Sequence, residues 1–434
     1  MKGRLLPRRT LRELVSRSRD VVPAEAVAVA AAAIEAVRSE GEPALRAHAE
    51  RFGDIPPGAP LVIPRETLGR TLAALPASDR ARLERVAARI RAFAEAQRRA
   101  LAAVTVPLPG GAAGHWIAPV ERAGCYAPGG RYPLPSSVLM TAVTARVAGV
   151  REVWVASPNP RPVTLAAAAV AEADGLLAAG GAHAVAALAY GAGAIPPCDA
   201  IVGPGNRYVT AAKQLVAGRL AIDTLAGPSE LLVFADASAD PAIVAADLLA
   251  QAEHDPDAVP LLVTLDESLA MRVEEEIGRQ LPDLPTAGVA RAALTNGGVI
   301  VVETVEEGIA ACDAIAPEHL QLELGDAAAV APRLAHFGAV FIGPGAAEVM
   351  GDYGAGPNHV LPTGGTARSA GGLSVYAFLR VRTWLRVDHA AAARPLLEDA
   401  AWLGRVEGLE AHARAAERRL RGSSAAPVTP ASAG

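Results

Sequence analysis

The stretch ELLVFAD (230–236), AIVAADLLAQAEH (242–254), PLLVTLD (260–266) reads as strand, helix, strand, and it decides the fold. The outer runs are short and apolar, while the middle run is rich in Ala and Leu at helical spacing. A strand, a helix and a second strand in this order make a crossover unit and so a parallel pair. The same alternation continues upstream through VREVWVAS (150–157), DAIVGP (199–204) and VTAAKQLV (209–216). Downstream it runs through SLAMRVEEEIGRQL (268–281), GVIVVE (298–303) and AVFIGP (339–344). It predicts an α/β protein with mostly parallel sheets and helices on both faces.

The strands fall into two groups, at about 150–225 and 230–345. This predicts two α/β domains with Rossmann-like but incomplete parallel sheets, one from 23–125 joined to 230–374 and one from 126–229. Helical extensions are expected at both ends, an N-terminal segment over 1–22 and a C-terminal domain over 375–422. Residues up to about 110 read as helical, with apolar spacing to match at 24–38 and 77–103. The tail 423–434 is expected to be disordered from its Ser, Ala and Pro content.

Composition narrows the function. At 434 residues and 51% hydrophobic content the chain can bury a large core. A net charge of -5 with no extended basic stripe argues against a nucleic-acid partner and for a small molecule. The start lacks the apolar stretch of a secretory signal, so a cytoplasmic location is expected. The uncharged run 175–198 is interrupted by glycines and by Pro196 and Pro197, which suits a buried crossover better than a membrane span. Cys125, Cys198 and Cys312 have no metal-type spacing and are expected to be inert.

Four segments set ionisable residues among Gly and Pro at the ends of expected elements, where α/β proteins build sites. In DLLAQAEHDPD, Gln251 and His254 are three apart on an expected helix, on one face; a plain surface pair would look the same. In APEHLQLEL, Glu318 and His319 are adjacent, so one site can use both only where the chain bends, and Pro317 offers an irregular approach. In EVMGDYGAGPNHVLPTGG, Asp352 and His359 lie in a long Gly-rich loop, functional or merely turning. In VEGLEAH, Glu407 and His412 lie on an expected C-terminal helix that could equally be a solvated face.

Taken together, Gln251, His254, Asp352 and His412 make a nitrogen and oxygen set for a divalent metal, with zinc favoured by two imidazoles. HExxH, P-loop and GxSxG motifs are absent, and GAGAIP, GPGNRY and GPGAAE each lack the third glycine of a dinucleotide fingerprint. The segments GCYAPGGRYPLPSSVLM and GPGNRYV can still approach a phosphate or ribose through bare backbone.

At these residues the chain resembles the histidinol dehydrogenase family. YAPGG, PSSVLM, GPGN, AGPSE, QAEH, PEHL, GDY, GPNHVLPTGGTAR, GLSV and EGLxAH occur in the family's order, over about residues 20–420. The resemblance implies one zinc per subunit, held by Gln251, His254, Asp352 and His412, with substrate completing the shell. It implies that Ser229, Glu318, His319, His359 and Glu407 line the substrate pocket beside those ligands. Tyr126, His183 and Asn206 would contact NAD, which makes 126–229 the NAD side. The implied reaction oxidises L-histidinol twice, through L-histidinal to L-histidine, closing histidine biosynthesis. His319 would take the alcohol proton and Glu318 would activate water. A homodimer is implied too, with Glu407 and His412 completing the partner's site.

Three departures matter. His183 stands where the family usually has Gln, GGLSVYAFLRVRTW differs from the commoner form, and GGRYPLPSSVLM differs from the commoner wording in a way shared by dehydrogenases of other small alcohols, including sulfonated diols. The alternatives are therefore such a dehydrogenase, or a binding protein without catalysis on the same scaffold. Lys213 is expected on a helix beside GPGN as a structural or phosphate-facing charge.

Overall fold

The computed structural model describes residues 4–16, 22–130 and 132–422. Its strands are numbered along the chain. A six-stranded sheet contains β1 (Val62–Pro64), β4 (Arg122–Tyr126), β5 (Glu152–Ala156), β6 (Gly175–Leu177), β7 (Ala200–Val202) and β8 (Ala221–Ile222). Their order is β1-β6-β5-β4-β7-β8, parallel throughout except for β1, which runs antiparallel to β6. A second sheet contains β9 (Glu230–Ala235), β10 (Val259–Thr264), β11 (Gly298–Val301), β12 (His319–Glu323) and β13 (Ala339–Ile342). It is wholly parallel, in the order β11-β10-β9-β12-β13. With the edge strand β1 set aside, the first strand of each sheet is central, the next two lie to one side and the last two to the other. That is the doubly wound order short of its sixth strand, as expected from the alternation.

Both sheets are covered by helices, and their strands accordingly lack polar alternation. In β9 the residues Leu231 to Ala235 are all fully buried. Leu231 and Val233 pack on one side with Val244, Leu248 and Leu249 of the helix Pro241–Ala252. Leu232 and Phe234 pack on the other with Cys312, Leu320 and Leu322. Local signals set the helix starts: Asp240 caps Pro241–Ala252, which has Pro at its first position, and Asn206 caps Arg207–Val216 by accepting from the N–H groups of Tyr208 and Val209.

The chain divides into two compact units, Met1–Arg98 with Val120–Phe378, and Arg99–Pro119 with Leu379–Gly434. The first holds both parallel sheets. In the second, β2 (Val104–Leu108), β3 (Gly111–Pro119) and β14 (Leu379–Val387) form an antiparallel sheet in the order β14-β3-β2, followed by the helices Arg394–Val406 and Glu410–Gly422. This sheet departs from the helical reading of both flanks. Its order comes from pairing β3 with a strand more than 250 residues later, a contact that local spacing does not carry. Among the described residues of 1–22, Leu11–Val15 is helical, capped by Thr10, and Arg8 bridges to Val299 of β11. The tail expected to be disordered lies outside the described residues. No described helix is long and apolar enough to cross a membrane.

Candidate active site

A cleft of about 600 Å³ opens in the first unit. From the six-stranded sheet it takes Pro128, Gly205 and Asn206, which follow β4 and β7. From the five-stranded sheet it takes Ser229 before β9, and Glu318 and His319 at the start of β12. Gln251, His254, Glu348, Asp352 and His359 complete the polar wall. Residues that are far apart in sequence thus share one cavity.

Glu318 and His319 reach it together because the chain bends just ahead of them. Ala316 caps the helix Val305–Ile315 in the left-handed region, with φ 53° and ψ 61°, and β12 begins only at His319. Glu230 then fixes both side chains. Its N–H donates to Glu318 Oε2 at 2.9 Å, and its carbonyl oxygen lies 3.0 Å from His319 Nδ1. With Nδ1–H donating there, Nε2 is left towards the cleft, 3.6 Å from Asp352 Oδ1. His319 Nδ1 is 3.7 Å from Glu318 Oε2.

Burial pushes the Glu318 carboxyl up to about 8, against the pull of His319 and the Glu230 N–H. Burial alone would discharge His319, yet the carboxylates of Glu318, Asp352 and Glu348 outweigh it and raise its pKa. Asp352 shows the converse: burial would raise it, and His319, His359 and His254 hold it low. His359 is pushed down by burial; its Nδ1 lies 2.8 Å from the Asp352 carbonyl oxygen and its Nε2 3.3 Å from Ser137 Oγ. An acid and a base, both buried, beside an adjacent anion are the parts of proton-transfer chemistry.

The same cleft suits a cation. Gln251 is fully buried in the last turn of its helix, and neither side-chain amide atom has a hydrogen-bond partner among the described residues. An amide so stranded is strongly disfavoured unless something absent from the chain accepts it. His254 lies just beyond the helix end rather than on its face, so the pair meets through the turn at Glu253 and not through helical spacing. Its Nε2 is 3.6 Å from Asp352 Oδ2. Ligand atoms of His254, Glu348 and Asp352 all lie within 4.8 Å of one another. An amide oxygen, an imidazole and carboxylates fit a divalent cation of the zinc type. Glu348 escaped the sequence reading. Its signal is the spacing to Asp352, four residues on, which puts both on one face of the short helix Glu348–Asp352.

A family model described as histidinol dehydrogenase matches residues 16–420. This chain belongs to the histidinol dehydrogenase family. It is 49% identical to histidinol dehydrogenase of Thermus thermophilus over 388 residues, covering 89% of this chain and 92% of that one. Against histidinol dehydrogenase of Pseudomonas fluorescens the identity is 42% over 395 residues, covering 89% of each. The crystal structure of histidinol dehydrogenase from Elizabethkingia anophelis matches with a TM-score of 0.90 at 30% identity, covering 98% of this chain and 100% of that one. Membership makes the chain an oxidoreductase.

The remaining expected positions of this histidinol dehydrogenase family member fall into three places. Asn206 lines the cleft while capping its helix. Tyr126, nearly fully buried at the end of β4, accepts from the Gly181 N–H through its hydroxyl, and His183 stacks on His48 with ring centroids 3.6 Å apart. Tyr126 and His183 are not among the cleft's lining residues. Glu407 and His412 belong to the second unit; both are exposed, Glu407 closing the helix Arg394–Val406 and His412 within the next. Lys213 is a structural charge here. It is buried, ion-paired with Asp223, and donates to the Gly203 carbonyl at 3.0 Å, while Asp223 Oδ2 accepts the Gly203 N–H at 2.7 Å.

Proposed function

We propose that this protein oxidises L-histidinol in two NAD-linked steps, through L-histidinal to L-histidine, as a cytoplasmic homodimer with one zinc ion per subunit. The observation that carries the reading is that Glu318 and His319 share one cleft with the stranded Gln251 amide and the His254 and Asp352 donors. Gln251, His254 and Asp352, with His412 supplied across the dimer, would hold the zinc, which when bound would orient the substrate, and NAD when bound would supply the hydride acceptor.

The chain's own residues handle the protons. His319, steadied at Nδ1 by the Glu230 carbonyl, accepts the alcohol proton at Nε2 once a bound cation offsets the Asp352 and Glu348 charges that otherwise hold the ring protonated, because an alkoxide-like oxygen expels hydride far more readily than a neutral alcohol. Glu318, held at Oε2 by the Glu230 N–H, takes a proton from water to hydrate the bound aldehyde before the second oxidation. Its raised pKa makes it a stronger base than an exposed carboxylate. Ser229 and His359 border the substrate, and Glu407 joins it from the second protomer. Asn206, Tyr126 and His183 form the NAD side. Cysteine takes no part: burial pushes Cys125 up to about 12 and raises Cys198 and Cys312 as well.

Zinc-loaded protein should form two NADH for each L-histidinol consumed. Absence of turnover at full zinc occupancy would reject the reading. A panel of small alcohols tests the substrate itself, since another alcohol oxidised with much higher kcat/KM would move the assignment while keeping the dehydrogenase.

A further inference from the structure

Glu348 is 1% exposed, and neither of its carboxylate oxygens has a hydrogen-bond partner among the described residues. Its backbone is fixed, the N–H donating to Gln321 Oε1 at 3.3 Å. Gln321 in turn is anchored, its Nε2 donating to Asp247 Oδ2 at 2.6 Å and to Glu323 Oε1 at 2.8 Å. The side chain is therefore aimed from a rigid base into the cleft, where its ligand atom lies within 4.8 Å of those of His254 and Asp352. Two ligands on one ion at about 2.1 Å are roughly 3 to 4 Å apart. The ligand atoms, within 4.8 Å of one another, come within about 1 Å of that spacing. A buried carboxylate without hydrogen-bond partners is strongly disfavoured unless positive charge meets it, and here His319 lends its field without a hydrogen bond.

Resting on the cation reading above, we propose that Glu348 is a direct ligand of the divalent cation in the substrate-free protein. One chain then supplies the Gln251 amide oxygen, the His254 imidazole and the carboxylates of Glu348 and Asp352. Two carboxylates balance a dication, and four donors satisfy a tetrahedral ion. The cation is held before any residue of the C-terminal helices is needed, and substrate nitrogen gains its place by displacing a Glu348 oxygen. Three oxygen donors to one nitrogen also admit Mn²⁺ and Co²⁺ alongside Zn²⁺.

The test is titration of chelator-stripped full-length protein with Zn²⁺ and with Co²⁺, read by competition with a chromophoric chelator, by the cobalt absorption spectrum and by Tm. Glu348→Gln should weaken binding at least about 10-fold and alter the cobalt spectrum. It should also shrink the metal-induced rise in Tm, while the metal-free variant melts no lower than metal-free wild type, because a neutral amide replaces an unpaired buried charge. Glu348→Asp, which keeps the charge but shortens the reach, should bind weakly too. Glu348→Gln binding within twofold of wild type would remove Glu348 from the ligand set and leave the cation site standing. Full binding by Glu348→Asp would reveal a field effect and not coordination, and a metal-free Glu348→Gln melting well below wild type would make the role structural; either overturns the proposal. Wild type that binds neither ion would sink the cation reading itself.

Discussion

The two parallel sheets share one strand order and use opposite ends. In the six-stranded sheet the order reverses between β4 and β7, and the cleft lies beyond their C-terminal ends, where doubly wound folds bind ligands. In the five-stranded sheet it reverses between β9 and β12, but the cleft meets these strands at their N-terminal ends. At their other end Asp236, just past β9, ties down the turn after β12, accepting from the N–H groups of Gly325 and Ser238 at 2.9 Å each. The chemistry divides accordingly. The first sheet brings turns of Pro, Gly and Asn; the second brings Glu318 and His319 themselves, and the elements packed at that end bring the candidate cation donors. Topology offers a crevice, and side chains decide which end is used.

The largest effect expected from this division is in His319→Asn, which should lower kcat roughly 100-fold or more while leaving the KM for NAD and zinc binding unchanged. A parallel loss of NAD affinity would break the division. Gly203→Ala probes the other sheet. Gly203 has φ +121°, and a Cβ there would meet the Tyr126 carbonyl oxygen at 2.0 Å. The cost should be about 1–3 kcal/mol in denaturant melts, with a raised KM for NAD and unchanged zinc affinity; weakened zinc binding would show the two ends to be one mechanical unit.

Gln321→Leu should cost about 1–2 kcal/mol, by stranding the Asp247 and Glu323 oxygens that now accept from its amide. A neutral outcome in urea titration would mean that this polar stripe is not structural. The smallest effect is in pH dependence. Burial raises the Glu323 and Asp247 carboxyls. The folded state therefore binds these protons more readily than the unfolded one, so their stabilisation is complete below the ordinary carboxylate range and lost as pH rises through the raised values. Glu323→Gln should flatten that decline in the Tm of metal-free protein. Superimposable pH profiles of the two proteins would contradict it.

Much of this was legible from spacing. The runs 230–236 and 260–266 are apolar without interruption because β9 and β10 are covered on both faces, and that pattern survives any detail of packing. The antiparallel sheet was not legible, because β14 owes its strand form to β3, which lies far off in sequence. Within the cleft, Gln251, His254, Glu318, His319, Asp352 and His359 stood out as ionisable or amide groups near Gly and Pro. Glu348 did not, since a single turn of helix is too short to show periodicity. Nor could composition reveal how Glu318 and His319 come to share a cavity, because the left-handed residue that turns the chain is an alanine and not a glycine.

The buried thiols carry a consequence for experiment. Cys125 lies in the central strand of one sheet, and Cys312 lies in the helix Val305–Ile315 against the other, both fully enclosed. A thiol-reactive dye can label either only when its surroundings open. Each sheet therefore carries a native clock, and mapping which cysteine is tagged first under mild denaturant would time the opening of the two sheets separately, without an engineered probe.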